Sequence, residues 1–244
     1  MLNMQGIGFS YGGDTGVIQD LNLNVQQGEL VAIVGPSGCG KSTILRLVAG
    51  LLKPTSGEVF WDQSGGPQIG FVFQDAALMP WKTVLENVAL PVKLSRQRPD
   101  MCHLMAYLEQ VGLGGFEARY PGTLSGGQKM RVSIARALSA NPNFLLLDEP
   151  FGALDEILRF KLNDLLLDLK TSQGWSGLFV THSLYEAAYM ADRVLVLQNG
   201  TVVGMVIPEL NRSLRPSEQR TSKEFLAAVA QIGALLEEGE SHDA

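Results

Sequence analysis

Short apolar runs that stop at glycine or at a pair of acids alternate along this chain with longer stretches in which leucine, isoleucine or valine returns every three or four residues. The first pattern is that of strands buried on both faces, the second that of amphipathic helices, so the alternation predicts an α/β fold with a largely parallel sheet. Residues 30–34 read as a buried strand ending at Gly35, and residues 41–51 as a helix stopped by Lys53-Pro54-Thr55-Ser56-Gly57. Residues 57–62 and 69–73 read as strands, the first in an antiparallel sheet and the second in the core. Further core strands are expected at 144–148, 178–181 and 194–197.

Between Trp81 and Asn143 the helical pattern takes over. Thr83 and Glu86 have capping-box spacing, residues 101–111 are helical in pattern, and residues 125–139 predict a second long helix. The expectation is one domain whose core spans about 1–85 and 144–215, with a helical subdomain inserted at about 86–143 and a C-terminal helix at about 221–238. Leu158, Leu162, Leu165, Leu166 and Leu169 form a stripe on a helix over 155–170, and Phe225, Val229, Ile232 and Leu236 form another. Ser183 with Glu186 has the spacing of a helix cap, and residues 239–244 are expected to fray.

Candidate chemistry begins with Gly35-Pro36-Ser37-Gly38-Cys39-Gly40-Lys41-Ser42-Thr43, a P-loop in its required setting after a strand and before a helix. The glycines let backbone N–H groups turn inward on one anion, and the helix N-terminus adds its partial positive charge. Lys41 can reach the β- and γ-phosphates of a nucleotide, and Ser42 can ligate Mg²⁺. Cys39 reads as a small filler in this loop. The strand at 144–148 ends in Asp148 and Glu149. Behind a P-loop, Asp148 is placed to hold Mg²⁺ and Glu149 to polarise an attacking water as general base.

A second glycine turn, Leu124-Ser125-Gly126-Gly127-Gln128, opens the helix over 125–139. Ser125 and Gln128 also have capping-box spacing, so an ordinary helix start is an open alternative. A cap leaves Gly126-Gly127 unexplained, since each glycine costs a helix about 1 kcal/mol. Bare glycines at a helix N-terminus would let a phosphate approach the backbone.

Composition narrows the partners. With a net charge of −6, the chain is not expected to coat nucleic acid. Two cysteines, Cys39 and Cys102, suggest no disulfide scaffold and fit a reducing compartment. The first residues lack the charged start and apolar core of a signal peptide, and no stretch approaches the roughly 20 apolar residues of a membrane span. Any membrane role is therefore expected to be peripheral.

The P-loop, the run Leu124 to Leu138 and Leu145-Leu146-Leu147-Asp148-Glu149-Pro150 together resemble the ATPase subunit of an ABC transporter, and the resemblance covers nearly the whole chain. It implies the ABC ATPase fold, with a RecA-like core, an antiparallel β subdomain and an inserted α-helical subdomain. It also implies a homodimer in which two copies close head-to-tail around two ATP molecules with Mg²⁺, Ser125, Gly126, Gly127 and Gln128 of one copy facing the nucleotide on the other's P-loop. By the same resemblance Tyr11 matches the aromatic that stacks on adenine, and Gln74 the glutamine that senses Mg²⁺ and the membrane subunit. Ala153-Leu154-Asp155 matches the D-loop, and His182 the histidine that contacts the γ-phosphate. Many relatives carry glutamine where this chain has Met130, which bears on polar packing behind the signature turn.

Leu78-Met79-Pro80-Trp81 is similar to importer ATPases for nitrate, sulfonates, taurine and thiamine-pyrimidine precursors, and Asp148 to Asp155 points the same way. Pro80 and Trp81 either shape a groove for a membrane-subunit helix or only pack a turn. The implied partners are membrane-spanning permease subunits and an extracytoplasmic solute-binding protein, at the cytoplasmic face of the inner membrane. No C-terminal regulatory domain of the sugar-importer type is expected. An exporter or lipid-transport ATPase is the nearer rival, and a non-transport ABC protein the next. A small-molecule P-loop kinase would account for the P-loop and Asp148 but not for the second glycine turn or His182.

Overall fold

Alternating large apolar side chains build the first strands. In β1 (Leu2–Phe9) Leu2, Met4, Ile7 and Phe9 are buried, and in β2 (Ile18–Val25) Ile18, Leu21, Leu23 and Val25. The computed structural model describes residues 1–12, 16–62, 66–152 and 154–240. Its chain forms two compact units, Met1–Gly66 with Ser176–Ala244, and Pro67–Trp175.

In the first unit β1 lies between β2 and β4 (Ser56–Trp61), antiparallel to both. This is the antiparallel sheet expected of residues 57–62. A second, mixed sheet runs in the order β7-β3-β8-β9. Here β3 (Leu30–Val34), β7 (Ser176–Val180) and β8 (Arg193–Gln198) are parallel, and β9 (Thr201–Val206) pairs antiparallel to β8. Every residue of β3 and β7 is buried, because helices cover the sheet: α1 (Lys41–Val48) packs on β7, α7 (Leu184–Met190) on β3, and α9 (Lys223–Glu240) on β8 and β9. Each buried Val, Leu or Ile contributes about 1.5–3 kcal/mol, which is why these strands stand out as uninterrupted apolar runs.

In the second unit β5 (Ile69–Val72) and β6 (Phe144–Asp148) form a parallel pair, Val72 opposite Leu147. Between them in sequence come α2 (Val84–Val88), α3 (Leu90–Leu94), α4 (Met101–Gln110), a short turn at Pro121–Thr123 and α5 (Gly126–Leu138). The helical stretch expected at 86–143 thus falls inside this unit, together with α6 (Glu156–Gln173). The capping boxes at Thr83/Glu86 and Ser125/Gln128 both form. A four-residue helix, α8 (Pro216–Gln219), precedes α9 in the first unit.

Some boundaries differ from expectation. α1 stops at Val48 rather than residue 51, and Gly50 takes a left-handed φ of +70° just beyond it. β7 starts two residues earlier than expected and ends one earlier. The α6 stripe narrows to Leu162, Leu166 and Leu169, joined by buried Asn163, while Leu158 and Leu165 are only half-buried. On α9 the buried residues are Phe225, Ala228 and Ile232, with Val229 and Leu236 half-buried. Gly239 and Glu240, expected to fray, continue α9; residues 241–244 lie outside the described residues.

Candidate functional site

Strand β3 delivers its chain directly into the 35–43 loop. Gly40 caps α1 with φ +104°, a conformation that glycine adopts without strain, and no side chain caps the helix's first turn. A helix start without a side-chain cap is the arrangement that suits an anion. A methyl group at Gly35 would lie 2.1 Å from the Leu197 carbonyl oxygen and 2.9 Å from Cys39 Sγ, so only glycine fits where the loop leaves the sheet. Lys41 is buried, and its ammonium donates to the Gly35 and Pro36 carbonyls at 2.8 and 2.7 Å. Pro36, Ser37 and Gly38 are exposed, Ser42 is half-buried and Thr43 buried. Burial pushes the Cys39 thiol up, an effect that nearby Lys41 offsets only in part, so the thiol form predominates and the residue fills space.

Tyr11 joins this loop through its hydroxyl, 3.2 Å from Thr43 Oγ1, while Arg46 Nη1 donates to it at 3.5 Å. Its ring stands edge-on to Phe9 with centroids 4.8 Å apart and remains 59% exposed. A pinned hydroxyl and an exposed ring make it a platform for a flat ligand. His182 follows β7, whose Val180 is opposite Ile33 of β3, so the P-loop and His182 leave the carboxyl ends of adjacent parallel strands. The turn that carries it is locked. Thr181 Oγ1 donates to Glu186 Oε2 (2.5 Å) and accepts from Ser183 N (3.0 Å), and Ser183 Oγ caps Glu186 N (3.3 Å). His182 itself is exposed. The cap at Ser183 was legible from spacing; the buried Thr181–Glu186 pair was not.

In the second unit, Asp148 is buried at the end of β6 and Glu149 is half-buried with φ +48°, a left-handed conformation unusual for glutamate. The parallel register of β5 and β6 sets Gln74 beside it: Gln74 Nε2 donates to Glu149 Oε2 at 3.2 Å. Sequence reading singled out both residues without foreseeing that they touch.

At the α5 turn, Ser125 Oγ accepts from Gln128 N (3.2 Å) and Gln128 Oε1 accepts from Ser125 N (2.9 Å). The plain helix-start reading is therefore true of these two side chains. What the turn leaves for a ligand is backbone: Ser125 and Gly126 are exposed, and a methyl at Gly126 would meet nothing within 4 Å. Met130 is buried, so an apolar side chain suits that position. Of the D-loop triplet, Leu154 is buried and Asp155 caps α6 by accepting from Leu158 N (3.0 Å); Ala153 lies outside the described residues. Pro80 is exposed and Trp81 is 70% exposed, so Trp81 does not pack a turn. Arg136 and Asn87, which grip the segment after Gln74, were not anticipated.

The residues suit a nucleoside triphosphate with Mg²⁺. The P-loop is a glycine cradle at an uncapped helix N-terminus, and the Ser42 hydroxyl and Asp148 carboxylate are hard oxygen donors of the kind Mg²⁺ takes. Among the described residues no cluster of three or more His, Cys, Asp or Glu could hold a metal ion.

Residues 18–152 match the family described as ABC transporter. An aliphatic sulfonates import ATP-binding protein of Shouchella clausii is 41% identical over 231 residues, covering 95% of this chain and 89% of the relative. A nitrate import ATP-binding protein of Synechococcus elongatus is 47% identical over 194 residues, 75% of this chain and 70% of the relative. A taurine import ATP-binding protein of Escherichia coli O157:H7 is 44% identical over 208 residues, 82% and 80%. Among solved structures, a dimeric ATP-binding cassette in a post-hydrolysis state with ADP and Pi superposes with a TM-score of 0.78 at 34% identity, over 85% of this chain and 98% of that one.

Proposed function

This chain belongs to the ABC transporter family, and on that premise we propose that it is the ATP-hydrolysing subunit of an importer for a small solute of the nitrate, sulfonate or taurine class, working on a separate permease. The observation that carries the reading is the pairing, in one chain, of a glycine cradle at α1 with a second glycine turn at α5 whose side chains cap each other and leave Gly126 exposed. The relatives named as import ATP-binding proteins supply the direction of transport. The nearby rival, an exporter or lipid-transport ATPase, shares the engine and differs in partner.

In this reading the N–H groups of the P-loop, Gly35 to Thr43, bind the phosphates, and Tyr11 takes the adenine on its exposed face. Lys41 exchanges its two loop carbonyls for phosphate oxygens, a swap of one set of charge-assisted hydrogen bonds for a stronger one. Ser42, Asp148 and Gln74 would hold Mg²⁺, which would supply neutralisation of the nucleotide's phosphate charge. Glu149 orients the attacking water and accepts its proton; His182 contacts the γ-phosphate. Two copies form a sandwich, Ser125 to Gln128 of one meeting the nucleotide of the other through the backbone of Gly126 and Gly127. The two compact units are parts of one nucleotide-binding domain. Among the described residues no helix is long and apolar enough to cross a membrane; the subunit sits peripherally on the cytoplasmic face of the inner membrane, beneath permease subunits served by an extracytoplasmic solute-binding protein.

Purification from native cells in mild detergent tests this directly. Recovery of a multi-span permease together with a solute-binding protein is expected, and that protein's ligand names the solute. An exporter-type permease would reverse the direction, and ribosomes or nucleic acid would remove transport altogether.

Gly126→Ala separates the trans role of the α5 turn from its structural one. Alanine meets no neighbour and is the better helix former, so thermal stability should hold or rise by up to about 1 kcal/mol. ATP turnover should fall at least about tenfold, because the methyl keeps a phosphate off the backbone. Unchanged turnover would mean that nothing approaches Gly126.

A further inference from the structure

The segment from Gln74 to Thr83 has no regular secondary structure of its own, yet it is held at both ends by side chains from helices of the same unit. Arg136, on α5, donates from Nη2 to the Ala76 carbonyl at 2.8 Å and from Nη1 to the Ala77 carbonyl at 2.9 Å, with Ser133 Oγ at 3.4 Å. Ala77, gripped in this way, has φ +45°, a conformation that persists in a non-glycine residue where surrounding contacts impose it. Asn87, fully buried on α2, accepts from Met79 N (2.8 Å) and donates to the carbonyls of Met79, Lys82 and Thr83 at 3.2, 3.1 and 2.9 Å. Between these two grips the chain presents Pro80 and the 70% exposed Trp81.

α5 connects this segment to the glycine turn. Arg136 lies ten residues beyond Gly126, about 15 Å along a helix at 1.5 Å per residue. Arg136 is half-buried, and that burial pulls its pKa down. A guanidinium that donates to two successive carbonyls fixes the backbone in two directions at once, which a lysine's single point of charge does not.

We propose that Arg136 is a positioning residue that locks residues 74–83 to α5 and so holds Gln74, the donor to Glu149, in a fixed relation to the α5 turn. The inference rests on Glu149 being the general base. Arg136 acts through Gln74 and the turn and touches no reacting atom.

The test uses the purified full chain with Arg136→Met, which keeps an apolar stem and loses the donors, and Arg136→Lys as the conservative variant. In R136M, the affinity for a fluorescent ATP analogue and KM should stay within about twofold of wild type, while kcat falls between about tenfold and a hundredfold. Amide hydrogen exchange should quicken at residues 76–82 and stay unchanged in β3 and α1. R136K should recover part of both effects. Wild-type kcat with unchanged exchange at 76–82 overturns the proposal, and so does a uniform quickening across the chain with kcat and affinity falling together. If R136M fails to fold, R136K carries the same readings: a smaller kcat loss at constant KM supports the lock, and wild-type values overturn it. A wild-type chain without ATPase activity would sink the functional reading instead. Exchange at 76–82 in the variants would then decide the lock by itself, faster exchange supporting it and unchanged exchange overturning it.

Discussion

A Glu149→Gln chain is expected to bind Mg-ATP and to hydrolyse it between about a hundredfold and ten-thousandfold more slowly, the span that a positioned general base contributes. The amide matches the carboxylate in size and imposes no new backbone demand at φ +48°, so the fold should be kept. What is lost is the basic oxygen that, on the proposed mechanism, accepts the water's proton. The Gln74 amide, which donates to Glu149 Oε2 at 3.2 Å, finds the carbonyl oxygen of the new amide in the same place. Binding should survive, since on the proposed reading the phosphates meet the P-loop, which the substitution leaves unaltered. With ATP bound and not consumed, two copies should stay closed around it, and size-exclusion chromatography at saturating Mg-ATP should show a dimer. A variant that binds ATP and remains monomeric would count against the sandwich, and one that turns over at the wild-type rate would remove Glu149 from the chemistry.

Gly35→Ala should be the most destabilising single change in the P-loop. The new methyl would stand 2.1 Å from the Leu197 carbonyl oxygen and 3.1 Å from its carbon. Neither can give way easily. Leu197 belongs to β8, which is paired on one side with β3 and on the other with β9, and a shift there disturbs both ladders. Overpacking of this kind costs about 3 kcal/mol or more. For a chain of this size that corresponds to a fall of roughly 6–12 °C in Tm, read by calorimetry or circular dichroism. Binding of an ATP analogue should weaken with it, since the loop is displaced where it leaves the sheet. A wild-type Tm would mean that the strand–loop junction is looser than the Gly35–Leu197 approach indicates.

The two variants mark two kinds of legibility. The P-loop could be read because its parts are local: an apolar strand, glycines at fixed spacing and a helix start follow one another within a few residues, and each has a physical job that does not depend on the rest of the chain. The same holds for the caps. Thr83 with Glu86, Ser125 with Gln128 and Ser183 with Glu186 are pairs three residues apart, and all three form in the structure. Buried strands β3, β6 and β8 were visible for a related reason, since a strand covered on both faces has no polar side to hide its pattern. Strands β1 and β2 do alternate in the expected two-residue rhythm, but register shifts on either side of Ile7, with Gly6 at φ +58°, break the beat in β1.

The contacts that hold the candidate residues within each unit join positions far apart in the chain. Tyr11 reaches Thr43 across 32 positions, Gln74 reaches Glu149 across 75, and Arg136 reaches Ala76 across 60. No spacing rule encodes such pairs, because strand order and helix packing bring them together. The α5 turn shows the difference within one motif. Sequence alone placed Ser125, Gly126, Gly127 and Gln128 at a helix start beside a plausible anion. Only the folded turn shows that the two side chains satisfy each other while Gly126 stays exposed with open space beside it. Local spacing, then, determined which residues are the candidates for the chemistry, since caps, cradles and buried runs are settled within a few residues of themselves. Tertiary structure decided which of them touch and which atoms stay free, since those depend on where distant segments are packed.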